Sequence, residues 1–225
     1  MELLSFMQAC GGEDTHVDFD RFEQGVHRDL AEPLLQLKNE AKREGFELCV
    51  ASGFRSFERQ LAIWNAKASG ARPLLSASGA LLSAEQLEAK ELMYAILRWS
   101  ALPGGSRHHW GTDIDVYDAT ALPEGYQLQL TLEEARGMFA PFYRWLGEHL
   151  GNTGFYRPYD GANGGVAEEP WHLSYQALAS KFQQALQPEH LKHMLEQQDI
   201  LLKAEILESF DELYSTYISK YFVAT

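Results

Sequence analysis

The stretch Ser106-Arg107-His108-His109-Trp110-Gly111-Thr112-Asp113-Ile114-Asp115 places two histidines and two aspartates on either side of a glycine. Its second half continues as Asp113-Ile114-Asp115-Val116-Tyr117, alternating polar and apolar side chains, which predicts a half-buried strand. If the whole stretch were one strand, His108 and Asp115 would point to opposite faces, because they lie an odd number of residues apart. Gly111 has access to backbone conformations closed to other residues, so a turn or bulge there brings both side chains to one side. A neutral imidazole and a carboxylate suit a Zn²⁺ ion. The same two groups also suit an ordinary hydrogen bond between a histidine and a carboxylate. His109, adjacent to His108, is expected to face away from it and to serve structure.

Around this stretch the chain reads as helices interleaved with a few strands. From His27 to Gly45, residues Leu30, Leu34, Leu37 and Ala41 share one helical face, with Gly45 suited to the position after the last turn. Phe46 to Ala51 alternates as a strand. Ser69 to Leu82 is rich in Gly, Ala and Ser and reads as a loop. Ser83 with Gln86 forms a capping box that predicts a helix to about Ser100, stopped by Leu102-Pro103-Gly104-Gly105. Thr131 with Glu134 predicts another, running to Gly151. The chain from Pro188 onward is rich in Leu, Glu and Lys and reads as mostly helical. This order indicates an α+β fold rather than a regular parallel βαβ sheet. The expected organisation is one domain over 1–225, with the informative motifs within 46–175 and a helical extension over about 176–225.

Composition narrows the class of partner. With 19 basic and 32 acidic residues the chain carries a net charge of −13, which repels phosphate backbones and anionic headgroups. Nucleic-acid binding is therefore not expected. Cys10 and Cys49 are too few for a disulfide framework or a Cys-rich zinc site, and Cys49, in an apolar run, reads as a small buried hydrophobe. No run of apolar residues is long enough to span a membrane. The N-terminus has an acid where a signal peptide would be basic. The default expectation is a cytoplasmic protein, or a periplasmic or exported one if a signal segment has been removed. The oligomeric state is left open.

Two further segments carry chemistry. In Glu168-Glu169-Pro170-Trp171-His172, an acidic residue precedes a histidine by three positions. One would bind a metal ion while the other takes the proton of a water without being a ligand. Pro170 favours an extended Glu169, so this is not the helical His-Glu-x-x-His arrangement. With His108 and Asp115, His172 makes three protein ligands, the number that leaves a catalytic position open. A buried aromatic beside a hydrogen-bonded core histidine is the bland alternative. In Ser52-Gly53-Phe54-Arg55-Ser56, followed by Gln60, an arginine after a strand can grip a substrate carboxylate or stabilise developing oxyanion charge, or can be a surface turn residue.

Taken together, Ser106-x-His108-x-x-Gly111-x-x-x-Asp115, Glu169-x-Trp171-His172 and Ser52-Gly53-Phe54-Arg55-Ser56 with Gln60 resemble the D-alanyl-D-alanine carboxypeptidase family. These zinc peptidases include vancomycin-resistance type enzymes and share a fold with the zinc domain of hedgehog proteins. The resemblance spans about 30–175. It implies a small antiparallel sheet with flanking helices and one Zn²⁺ held by His108, Asp115 and His172. It also implies Glu169 as general base and then acid, and Arg55 for substrate binding and transition-state charge. Ser106 and Gln60 match motif positions near the substrate. The implied substrate is a peptidoglycan-derived peptide ending in D-alanyl-D-alanine. Two other expectations stay open: cleavage of an L-alanyl-D-glutamate type bond, and a non-catalytic zinc domain that binds peptide or protein. Asp113 departs from the small residue common in the family; it either orients a ligand histidine or faces solvent.

Overall fold

The computed structural model describes residues 4–76, 79–161 and 164–223. Four antiparallel strands form the central sheet in the order Leu48–Ser52, Asp113–Asp118, His172–Tyr175, Phe155–Tyr156. Helices surround it, so the α+β expectation holds. Across the middle pair, Asp113 faces Ser174, Ile114 faces Leu173 and Asp115 faces His172. Because side chains alternate along a strand, this register sorts the sheet into two chemistries. Ile114, Val116 and Leu173 join a core with Leu34, Leu37 and Leu48. Asp113, Asp115, His172 and Ser174 lie on the opposite face, and they too are buried.

The first helix forms as its apolar face predicts. A short 3-10 turn, Arg28–Leu30, leads into the α-helix Ala31–Arg43, which buries Leu34, Leu37 and Ala41. Two other helices differ from expectation. Ser83 and Gln86 flank only a 3-10 turn, Ala84–Gln86, which ends where Leu87 becomes extended. The α-helix starts later, at Ala89–Leu97, where Glu88 and Glu91 supply the capping box. The Thr131–Glu134 box does cap a helix, Leu132–Arg136, but Gly137 breaks it. A second helix, Ala140–His149, starts afresh with a proline in its first turn, where the missing N–H costs nothing. The expected loop over 69–82 contains a small hairpin, Leu74–Leu75 with Leu81–Leu82; positions 77 and 78 lie outside the described residues.

The C-terminal part is helical over Gln176–Ala185, Pro188–Glu196, Lys203–Glu208 and Phe210–Tyr217. It contributes Phe182, Leu191, Ile206, Phe210 and Leu213 to a second apolar cluster that also contains Trp64, Met93, Ile96 and Trp110. Trp110 stacks on Phe182 at 5.9 Å and 14°, which ties the histidine-bearing turn to these helices. Cys10 is buried and Cys49 only half-buried, both as free thiols. Among the described residues, no helix is long and apolar enough to cross a membrane.

Gly111 has φ of +64°, and a Cβ there would lie 2.8 Å from the backbone nitrogen of His27. Gly111→Ala is expected to destabilise the fold by about 1–2 kcal/mol from backbone strain alone, and by more through the collision. Gly45, at φ +88° with open space around it, is the control for strain without collision. Chemical denaturation should show Gly111→Ala losing clearly more stability than Gly45→Ala.

Candidate active site

The sheet register places Asp115 directly across from His172, and the turn before the strand delivers the second histidine. Residues Arg107–Trp110 form a 3-10 turn closed by Gly111 in the left-handed conformation. The turn expected at Gly111 is therefore present, and it carries His108 over to the Asp115 face. His108 Nε2 lies 3.3 Å from Asp115 Oδ2, and His172 Nδ1 lies 3.0 Å from Asp115 Oδ1. One donor atom from each of the three residues falls within 4.8 Å of the others. Bonds of about 2 Å at tetrahedral angles separate ligand atoms by about 3.3 Å, so this spacing fits Zn²⁺.

The remaining ring nitrogens support the same conclusion. His108 Nδ1 is 2.9 Å from the Gly53 carbonyl, and His172 Nε2 is 3.1 Å from Asp113 Oδ1. With both rings neutral, an N–H donated at those positions leaves His108 Nε2 and His172 Nδ1 with lone pairs facing the space beside Asp115. The donor set thus meets a test that a simple His–Asp hydrogen bond would not need to meet.

Glu169 stands beside the three donors without joining them. Its Oε2 is 3.7 Å from His172 Nδ1, and its side chain makes no hydrogen bond among the described residues. Burial, only partly offset by His172, raises its carboxyl to about 7. Pro170 and Trp171 form a turn in which the Glu169 carbonyl accepts the His172 N–H at 3.1 Å, and the Glu169 N–H bonds the Tyr159 carbonyl at 3.1 Å.

Arg55 is fixed from several directions. Its Nη1 donates to Gln60 Oε1 at 2.9 Å and its Nη2 to Ser52 Oγ at 3.1 Å. Its backbone N–H donates to the His108 carbonyl, and its own carbonyl lies 2.6 Å from His109 Nδ1. His109 is fully buried, and its Nε2 accepts the Gly104 N–H at 3.0 Å. It is therefore a strut between two loops, as its adjacency to His108 predicts. Gln60 is also fully buried; its Nε2 donates to the Ala101 carbonyl at 2.7 Å, and it sits behind Arg55 rather than in the cleft. Ser106 does line the cleft.

That cleft, about 880 Å³ in volume, is bordered by His108, Asp115, His172, Glu169, Arg55, Ser106, Trp171 and residues 129–133. It also contains Lys67, which the sequence motifs did not single out. Lys67 Nζ donates to Ser100 Oγ at 2.6 Å, and among the described residues no carboxylate forms an ion pair with it. Burial, with Arg72 and Arg55 nearby, lowers its ammonium to about 8. Lys67 stands in the last turn of the helix Phe57–Ala68, a position from which a lysine usually reaches solvent.

Comparison with known proteins agrees with this geometry. Residues 23–178 match the family model of VanY, D-alanyl-D-alanine carboxypeptidase. An uncharacterized protein of Haemophilus influenzae is 35% identical over 121 residues, covering 52% of this chain and 92% of that one. A D-alanyl-D-alanine carboxypeptidase of Enterococcus faecalis is 29% identical over 164 residues, 71% of this chain. The match spans only about half, 52%, of that relative's length. The solved structure of VanYB in complex with D-alanine-D-alanine shares the fold with a TM-score of 0.53 at 24% identity, covering 83% of this chain and 91% of that one. A variant of the vancomycin-resistance D,D-pentapeptidase VanY in complex with Zn(II) gives 0.51 at 23% identity, with coverages of 84% and 88%.

The charge states at the three donors set a pH dependence. Burial disfavours the His172 cation, but hydrogen bonds to Asp113 and Asp115 outweigh it and raise His172 to about 9. His108 is instead lowered by burial, and Asp115 is held well below the usual carboxylate range by the two histidines despite its burial. Between about pH 7 and 9 a metal ion must therefore displace one proton, from His172, and below about pH 7 a second, from the Glu169 carboxyl that the ion lowers. Zinc affinity, measured by indicator competition, should rise about tenfold per pH unit between about pH 7 and 8 and more steeply below about pH 7. A flat profile would contradict these charge states.

Proposed function

Because the chain belongs to the D-alanyl-D-alanine carboxypeptidase family, we propose that it is a zinc metallopeptidase. In this reading it removes the terminal residue from peptidoglycan-derived peptides ending in D-alanyl-D-alanine. The observation that carries the proposal is a half-buried carboxylate with no hydrogen bond among the described residues, Glu169, beside three convergent donor atoms and a fixed guanidinium. His108, Asp115 and His172 would hold the ion, with a fourth position left for water or substrate. When bound there, zinc acts as a Lewis acid and makes water acidic enough to yield its proton near neutrality.

The remaining steps belong to the chain's own groups. Glu169 takes a proton from the attacking water as the oxygen adds to the scissile carbonyl carbon. Arg55 donates hydrogen bonds towards the charge that develops on the carbonyl oxygen, and its anchors at Gln60, Ser52 and His109 remove the need to reorganise during reaction. Glu169 then returns the proton to the departing nitrogen as the C–N bond breaks, releasing free D-alanine. A carboxyl raised to about 7 is suited to both transfers. Gln60 serves the substrate through Arg55, and Ser106 borders the bound peptide.

Lys67 supports removal of a terminal residue over cleavage at an internal bond. A cation without a carboxylate partner in the cleft is complementary to a peptide's terminal carboxylate, which an internal bond does not offer. With a peptide ending in D-alanyl-D-alanine, Lys67→Met is expected to raise KM several-fold while changing kcat less.

The direct test is digestion of defined muropeptides with and without a chelator, with products identified by mass spectrometry. Chelator-sensitive release of free D-alanine is the expected result; cleavage only at L-alanyl-D-glutamate, or no cleavage by the zinc-loaded protein, would overturn the proposal. Glu169→Gln should lower kcat by at least about 100–10,000-fold while the protein keeps its zinc. The acidic limb of the pH profile should fall at or below about pH 7, because a cation beside Glu169 pulls its carboxyl down from its metal-free value.

A further inference from the structure

Asp113 is fully buried behind the three donor atoms, and every contact it makes leads to a defined partner. Its Oδ1 accepts from Arg107 Nε at 2.7 Å and lies 3.1 Å from His172 Nε2. Its Oδ2 accepts from Thr112 Oγ1 at 2.8 Å and Ser174 Oγ at 3.1 Å. Of the two expectations for this residue, solvent exposure is excluded.

Arg107 is buried as well. Its Nη2 donates to Tyr156 Oη and Ser174 Oγ, both at 2.7 Å, and its guanidinium lies 4.6 Å from the Trp110 ring centroid. Its Nη1 donates at 3.1 Å to the carbonyl oxygen of Tyr221, in the last 3-10 turn, Ser219–Tyr221. The Tyr221 hydroxyl accepts the Val166 N–H at 2.9 Å. The Tyr221 ring packs on Tyr159 at 4.9 Å, and Tyr159 in turn packs on His172 at 4.7 Å. Two routes thus join the Ser219–Tyr221 turn to one histidine of the site.

We propose that Asp113 is a positioning residue that fixes the orientation and tautomer of His172, and that Arg107 and the C-terminal turn at Tyr221 hold it in place. The inference rests on His172 being a metal ligand. A neutral imidazole carries its proton on either nitrogen, and only a bare Nδ1 can bind an ion beside Asp115. A carboxylate at Nε2 commits the proton there and stops the ring from turning. That carboxylate must itself be fixed, and Arg107 offsets its burial while setting its direction. The C-terminal segment, beyond the motif-bearing region, is on this account part of the metal site's framework.

The test uses the full chain as wild type, Asp113→Asn, and the double variant Arg107→Met/Asp113→Asn. The double variant removes the buried cation that Asp113→Asn leaves without its charged partner and so guards against misfolding. Metal-free melting temperature, zinc affinity by chelator competition, and the ring N–H proton resonance of His172 in the zinc-loaded protein are measured. Folded variants are expected to bind zinc about 10–100-fold more weakly than wild type. Their Nε2 proton resonance should move upfield as the charged acceptor is lost. Zinc affinity within twofold of wild type and an unmoved resonance, even with a lower melting temperature, would reduce Asp113 to a structural role and overturn the inference. A wild-type chain that takes up no zinc would instead overturn the metallopeptidase reading, and this one with it.

Discussion

The pairing of Asp113–Asp118 with His172–Tyr175 sets which atoms can meet at the site. A slip of one residue in that register would turn every side chain of the strand to the other face. Asp113 and Asp115 would enter the apolar core, and Ile114 and Val116 would face the cleft. The native register is held on one side by the packing of Ile114, Val116 and Leu173 with Leu34, Leu37 and Leu48. The site is therefore stabilised by hydrophobic burial on the far side of the sheet that carries it. Gly111 meets the second requirement, by turning the preceding residues so that His108 reaches the same face.

Burying this many charges has a cost, and charged and hydrogen-bonding partners offset it. Asp113 faces Arg107, and Asp115 lies between two histidines. Glu169 has no comparable partner, and its carboxyl is raised accordingly. The distribution separates roles: hydrogen-bonded carboxylates remain charged and fix geometry, while Glu169, 3.7 Å from His172 and without a hydrogen bond among the described residues, is placed to exchange a proton near neutral pH. Arg55 and Lys67 add the positive charge in the cleft.

How much could be read from the sequence depended on whether the signal was local. His108, Asp115, His172 and Glu169 were legible because short-range spacing and a glycine limited where they could point, and family resemblance then linked the segments. The first helix was legible from its apolar face. The Ser83–Gln86 signal misled because one capping motif is local, whereas Leu87 takes an extended conformation and the helix begins beyond it. Gly137 and Pro141 were visible in the sequence, yet only the packed structure shows them dividing one helical pattern in two. Arg107 was not legible at all. Apart from Asp113, six residues on, its partners Tyr156, Ser174 and Tyr221 are 49 to 114 residues away, and no periodicity connects them. Lys67 was hidden for a similar reason, since its neighbour Ser100 is 33 residues distant.

The chemistry of the cleft turns on where the ion sits and what holds it. X-ray diffraction from crystals of the zinc-loaded protein, recorded on both sides of the zinc absorption edge, tests it most directly. One anomalous peak per chain is expected, about 2.0–2.2 Å from His108 Nε2, an Asp115 oxygen and His172 Nδ1, with Glu169 outside bonding distance. A peak elsewhere, or one with Glu169 bonded as a fourth protein ligand in a closed site, would contradict it.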